Sequence, residues 1–144
     1  MSKLRGLIVG VANERSLGWA IAKSMAAEGA ELAFTYQGET LERRVRPLAE
    51  SVGSSFVEPC DVTDDSQIDG LFGKLKDQWD SMDFLVHSVA FAEREDLEGS
   101  FVDTSRAGFQ KALDISAFSL VALAQRAKPL LEKNFLIIGD RYKY

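Results

Sequence analysis

The 144-residue chain contains one cysteine, one histidine and three prolines, and each scarcity excludes something. Cys60 alone forms no internal disulfide, and with His87 as the sole imidazole there is no cysteine–histidine set for a zinc site. A reducing, cytoplasmic setting is expected. Basic excess is lacking too: 17 Lys and Arg against 22 Asp and Glu give a net charge of -5, so no field draws in a phosphate polymer and no nucleic-acid partner is expected. No uninterrupted apolar run matches a bilayer, and no membrane partner is expected. The opening Met1–Gly10 is basic and then apolar, but its apolar part is short and runs straight into Asn13-Glu14-Arg15, which reads as a first strand and not a signal peptide. Repeats, low-complexity tracts and Pro/Ser-rich linkers are absent, leaving the profile of one compact domain, 46% hydrophobic and 27% charged.

What the chain does have is two periodicities that take turns. Leu7–Val9, Leu32–Tyr36, Ser55–Val57 and Phe84–His87 are short, nearly continuous apolar runs, as strands buried on both faces tend to be. Helical spacing follows each one. Leu17, Ala20, Ile21, Ser24 and Met25 mark a first helix, with Gly29 as its stop. A charged second helix is expected from about Glu39 to Ser51, disturbed at Pro47. The third opens at Thr63-Asp64-Asp65 and carries Ile68, Leu71, Phe72, Leu75 and Trp79. A fourth, long and apolar, follows the cap candidates Asp103 and Thr104 and runs towards Lys133, with apolar surface left over for a partner subunit. With a possible last strand at Phe135–Ile138, this order predicts a doubly wound α/β domain, a Rossmann-like parallel sheet with right-handed crossovers. Ligands of such sheets sit at the carboxyl ends of the strands.

The loop after the first strand reads Gly10-Val11-Ala12-Asn13-Glu14-Arg15-Ser16-Leu17-Gly18. Gly10 permits a tight turn, Ala12 leaves the backbone approachable, and Ser16 at the helix start can face a pyrophosphate. Only Gly10 and Gly18 remain of the usual G-x-G-x-x-G, so a plain strand-to-helix loop with a serine cap explains the same residues. The second strand ends at Gln37, where a dinucleotide fold meets the adenosine ribose. Its amide can bond a ribose hydroxyl and Glu39 would repel a 2′-phosphate, favouring NADH over NADPH; a simple polar turn is the alternative. After the third strand, Asp61 suits an adenine amino group or caps the next helix. The fourth strand ends in His87-Ser88-Val89-Ala90-Phe91-Ala92, whose small residues let a flat cofactor lie close. His87 itself reads as a hydrogen-bonded core residue and Cys60 as an inert packed thiol.

Gly10–Leu17, Gly29–Gln37, Cys60-Asp61-Val62, His87–Ala92 and Asp114-Ile115-Ser116, in this order and spacing, closely resemble the bacterial NADH-dependent enoyl-acyl-carrier-protein reductases, divergent short-chain dehydrogenase/reductases. The resemblance runs from about Lys3 to Asn134. It implies a cytoplasmic enzyme of fatty-acid elongation, a tetramer in the family, that passes hydride from NADH to a trans-2-enoyl thioester on acyl carrier protein. It also implies that Gly10, Ser16 and Leu17 contact the pyrophosphate and ribose, Gln37 the adenosine ribose, Asp61 and Val62 the adenine, and Val89 the cofactor's side. Ala92 matches a family position that touches substrate.

The resemblance stops before the chemistry. The family places a tyrosine near the end of the fifth strand, then a second tyrosine with a lysine six residues beyond it, as donors to the enolate oxygen and cofactor ribose. Here residues 135–144 do not match, and Tyr142, Lys143 and Tyr144 have the wrong spacing to inherit those roles. The expectation is a Rossmann-like domain over 1–134, its N-terminal portion only, followed by a non-matching end produced by truncation, frameshift or engineering. Catalytic residues are not assigned, and exposed apolar surface with weak stability or self-association is anticipated.

Overall fold

The computed structural model describes residues 3–139 and, for 132–135, the backbone alone; Tyr142, Lys143 and Tyr144 lie outside the described residues. Five strands, β1 (Arg5–Val9), β2 (Glu31–Tyr36), β3 (Phe56–Pro59), β4 (Met82–His87) and β5 (Leu131–Gly139), pair in the order β3-β2-β1-β4-β5. Every pairing is parallel. Helices α1 (Leu17–Ala27), α2 (Gly38–Ser51) and α3 (Asp65–Gln78) make the first three crossovers. A short α4 (Arg94–Leu97) and a 3-10 turn precede α5 (Arg106–Leu113), a π turn (Asp114–Phe118) and α6 (Ser119–Ala127).

The apolar runs alternate sides of the sheet. Leu7, Val9 and Leu85 join Ile68, Phe72 and Leu75 of α3 and Leu123 of α6 in one core. Ile8, Phe34, Phe84 and Val86 join Trp19 of α1 and Val45 of α2 in the other. Burial on both faces is why the central residues of β1, β2 and β4, such as Leu7–Val9, Leu32–Phe34 and Phe84–Val86, are apolar.

Local chemistry sets the start of α3. Asp64 caps α3, accepting the amides of Ser66 and Gln67. Trp79, expected on that helix, falls just after it, yet it is buried and its indole N–H donates to Glu31 at 2.9 Å. Pro47 lies inside α2 on the exposed side, between buried Val45 and Ala49.

The last helical region departs from expectation at both ends. Ser105, and not Asp103 or Thr104, is the cap of α5, its hydroxyl accepting the Gly108 amide at 3.0 Å. Asp103 belongs to the 3-10 turn, its amide donating to the Ser100 carbonyl at 3.0 Å. The helix ends at Ala127, not near Lys133, because Leu131 already pairs with Met82 in β5. That strand contains the expected Phe135–Ile138 segment and runs across the 134/135 division.

Arg106–Ala127, 22 residues, forms among the described residues the one helix long and apolar enough to cross a membrane by length and composition, its most apolar 18-residue stretch having a mean hydropathy of 1.2. Its second half is seated on the sheet: Ser119, Ala122, Leu123 and Ala127 of α6 are buried. The opposite side leaves Phe109, Leu113, Phe118 and Val121 about half exposed.

Candidate functional site: a cavity at the switch point of the sheet

The strand order reverses between β1 and β4, and a ligand crevice opens where the loops leaving two such strands diverge. A cavity of about 400 Å³ lies there, lined by the ends of β1, β2, β3 and β4 together with Lys111 and Ile115 from the long helix. Of the residues singled out in the sequence, Gly10, Gln37, Asp61, Val62 and Val89 line it. Ser16, Leu17 and Ala92 do not, and Leu17 is 54% exposed.

Gly10 has φ +107°, and a Cβ there would sit 1.9 Å from the Ser88 carbonyl oxygen. Glycine is therefore required by the close approach of two chain segments, both of which line the cavity. Ser16 folds the loop instead of capping its own helix: its Oγ accepts the amides of Ala12 at 2.9 Å and Asn13 at 3.0 Å. No side chain caps α1, so its first amides and the positive end of the helix dipole remain available to an anion.

The opposite rim is a polar chain. Gln37 Nε2 donates to Asp61 Oδ2 at 3.1 Å, while Asp61 Oδ1 accepts both the amide and the hydroxyl of Thr63, at 2.9 and 2.7 Å. Those Thr63 bonds, more than any other cause, hold the Asp61 carboxyl below the usual carboxylate range. Cys60, buried beside it, is pushed up to about 11 by desolvation and the neighbouring Asp61 charge, so its thiol stays protonated and inert.

The third wall was not legible as a site in the sequence. Ser116, in the π turn, both accepts the Phe91 amide at 2.9 Å and donates to the Phe91 carbonyl at 3.1 Å, clamping the loop after β4. Lys111 Nζ stands 4.9 Å from the Phe91 ring centroid and bonds Glu93. The only available signal was the recurrence of Asp114-Ile115-Ser116 in the family pattern.

His87 is buried under this wall. Ser119 Oγ donates to the Ile115 carbonyl at 2.5 Å and so is left to accept from His87 Nε2, 2.7 Å away. Burial pushes His87 below the usual histidine value. The unfolded chain therefore takes up a proton below pH about 6.5 that the folded chain resists, and stability is lost as pH falls from there through the folded value. Because His87 is the only histidine, the fall in Tm between pH 7 and pH 6 should disappear in His87→Gln; differential scanning fluorimetry across that range checks it.

A 3-2-1-4-5 parallel sheet with a ligand cavity at its switch point defines a Rossmann-like α/β protein. Within that class the chain belongs to the enoyl-(acyl carrier protein) reductase family, whose model matches residues 10–141. It is 48% identical over 142 residues to "Enoyl-[acyl-carrier-protein] reductase [NADH] 2" of Rhizobium meliloti, covering 99% of this chain and 53% of that protein. The crystal structure of the Aquifex aeolicus enoyl-[acyl-carrier-protein] reductase (NADH) superposes with a TM-score of 0.90 at 50% identity, over 93% of this chain and 54% of that one. The Bacillus cereus reductase, solved with NADP+ and indole naphthyridinone, gives 0.85 at 48% identity, over 89% and 51%. The chain thus spans about half the length of the curated relatives it matches.

Proposed function

We propose that this chain is the nucleotide-holding half of an NADH-dependent enoyl-[acyl-carrier-protein] reductase of fatty-acid synthesis. The observation that carries this is the cavity between Gly10 and the Ser88–Phe91 loop, in the place where such sheets hold dinucleotides. Its volume and polar far rim suit a diphosphate bridge flanked by two nucleosides, and the uncapped start of α1, in the loop that leaves Gly10, can receive the anion. In this reading Gly10 keeps the backbone open to the diphosphate, and Ser16 and Leu17 present the start of α1 to it. Gln37 meets the adenosine ribose, Asp61 and Val62 the adenine. Val89 lies against the cofactor, and Ala92 lies towards an enoyl thioester carried on acyl carrier protein. When bound, the nicotinamide supplies the hydride.

The exposed Phe109, Leu113, Phe118 and Val121 support a homo-oligomer, and the family relationship supports a cytoplasmic setting. A second reading, cofactor holding without turnover, is favoured by the length of the chain, half that of its relatives, and by the absence of an assigned proton donor among the described residues.

Titration with NADH, followed by its fluorescence, separates these. Saturable binding is expected, reduced at least about tenfold by Ala90→Trp, which fills the cavity from an exposed position. Failure to bind overturns the proposal. Binding with no oxidation of NADH on adding crotonyl-CoA selects the second reading, and turnover selects the first.

A further inference from the structure

Relatives of this chain bear names with NADH, yet one is solved with NADP+, so this chain's own residues must decide which nucleotide it takes. The two differ by a phosphate on the adenosine ribose, on the side of the cavity where Gln37 stands. An amide side chain can present either its oxygen or its nitrogen.

Here the choice is made by a neighbour. Ionised Asp61 only accepts hydrogen bonds, so at 3.1 Å it takes the Gln37 NH2 group and leaves the amide oxygen as the group Gln37 offers a ligand. Asp61 in turn is held by the Thr63 amide and hydroxyl on its other oxygen, and its own amide donates to Gln67 Oε1 at 2.8 Å.

We infer that Thr63 and Asp61 are positioning residues that fix the Gln37 amide oxygen outward, so that the cavity accepts a ribose hydroxyl and rejects a 2′-phosphate. The inference rests on the nucleotide-holding reading above and deepens it. A hydroxyl donates to that oxygen. A phosphate, all acceptors, meets the amide oxygen with the Asp61 carboxylate behind it. Nearby cations face carboxylates of their own helix: Arg46 bonds Glu42 at 2.7 Å, and Arg43 forms a looser, exposed pair with Glu39 at 4.0 Å. Arg44 opens onto a separate recess with Asn13 and Arg15.

Asp61→Asn keeps the shape and removes the constraint. Thr63 still donates to the Asn oxygen, whose NH2 then faces Gln37, and the Gln37 amide turns over to present its nitrogen to the cavity. Thr63→Val removes the hydroxyl and leaves the backbone bond.

The test is fluorescence titration of the full chain and its variants with NADH and with NADPH, reading the ratio of the two affinities. The parent should prefer NADH by about tenfold or more, Asp61→Asn should erase that preference, and Thr63→Val should lower it about threefold. Loss of an adenine contact weakens both nucleotides equally and leaves the ratio alone, so an unchanged ratio in Asp61→Asn overturns the inference. A parent indifferent to the phosphate also overturns it. If neither nucleotide binds, both this and the nucleotide-holding reading fall, whereas binding with a fixed ratio sinks only the positioning role. Gln37→Leu, at an exposed position, tests the group being positioned: NADH affinity should fall with NADPH affinity kept, and an unchanged NADH affinity overturns the inference even if the other variants unfold.

Discussion

Replacing Gly10 with alanine should cost on the order of 3 kcal/mol of folding stability and abolish NADH binding. Two penalties combine there. At φ +107° an L side chain is strained whatever the space, and the new methyl would meet the Ser88 carbonyl at 1.9 Å, backbone that cannot step aside. Relief requires β1 and β4 to separate at their carboxyl ends, where the Ser88 amide now donates to Val9 at 2.8 Å. Gly29→Ala is the matched control, since φ is +86° but nothing lies within 4 Å of the added atom. It should cost only about 1 kcal/mol. Urea unfolding of both variants gives the difference, and equal losses would mean that this close approach is not what demands glycine.

Leu123→Ala should be nearly as damaging, about 3 kcal/mol, because a fully buried leucine is removed from the core between α6 and the sheet. That is a large share of what a small domain has to lose. The effect should reach the cavity, since α6 continues through the π turn into the residues that wall it, Ile115 and Lys111. NADH affinity is expected to fall along with the urea midpoint. Val121→Ala, at a position 47% exposed, should change either by little. If the two substitutions prove equally mild, the helix is not anchored through Leu123.

The strands were legible because parallel strands buried on both faces have little choice of residue, and Leu7–Val9 and Phe84–His87 show it. The third helix was legible because Asp64 and the Ile68–Leu75 stripe signal the same thing at two levels. Part of the cavity was readable for a similar reason: the ends of parallel strands converge by topology, so Gly10, Gln37, Asp61, Val62 and Val89 could be picked one strand at a time. What stayed hidden was held by contacts distant in sequence. Ser105 as a cap depends on Asp96, whose Oδ1 takes the Ser105 amide at 2.8 Å, and no local pattern distinguishes it from Asp103 or Thr104. Ser116 reaches Phe91 across 25 residues, and the Gln37–Asp61 bond spans 24. Pro47, expected as a local disturbance, lies inside α2 on its exposed side, and the helix runs on past it to Ser51.

The π turn at Asp114–Phe118 works as a phase shifter between two halves of one rod. Each residue advances a helix by about 100°, so the single surplus residue of a π turn offsets everything upstream by roughly that angle. The downstream half is locked against the sheet by Leu123 and Ser119, and the upstream half is thereby aimed sideways, carrying Lys111 over the Phe91 ring. In a rod of uniform pitch, one orientation could not serve both tasks, and the gain for this chain is that a single helix can be rigid in the core while pointing a cation at the mouth of the cleft.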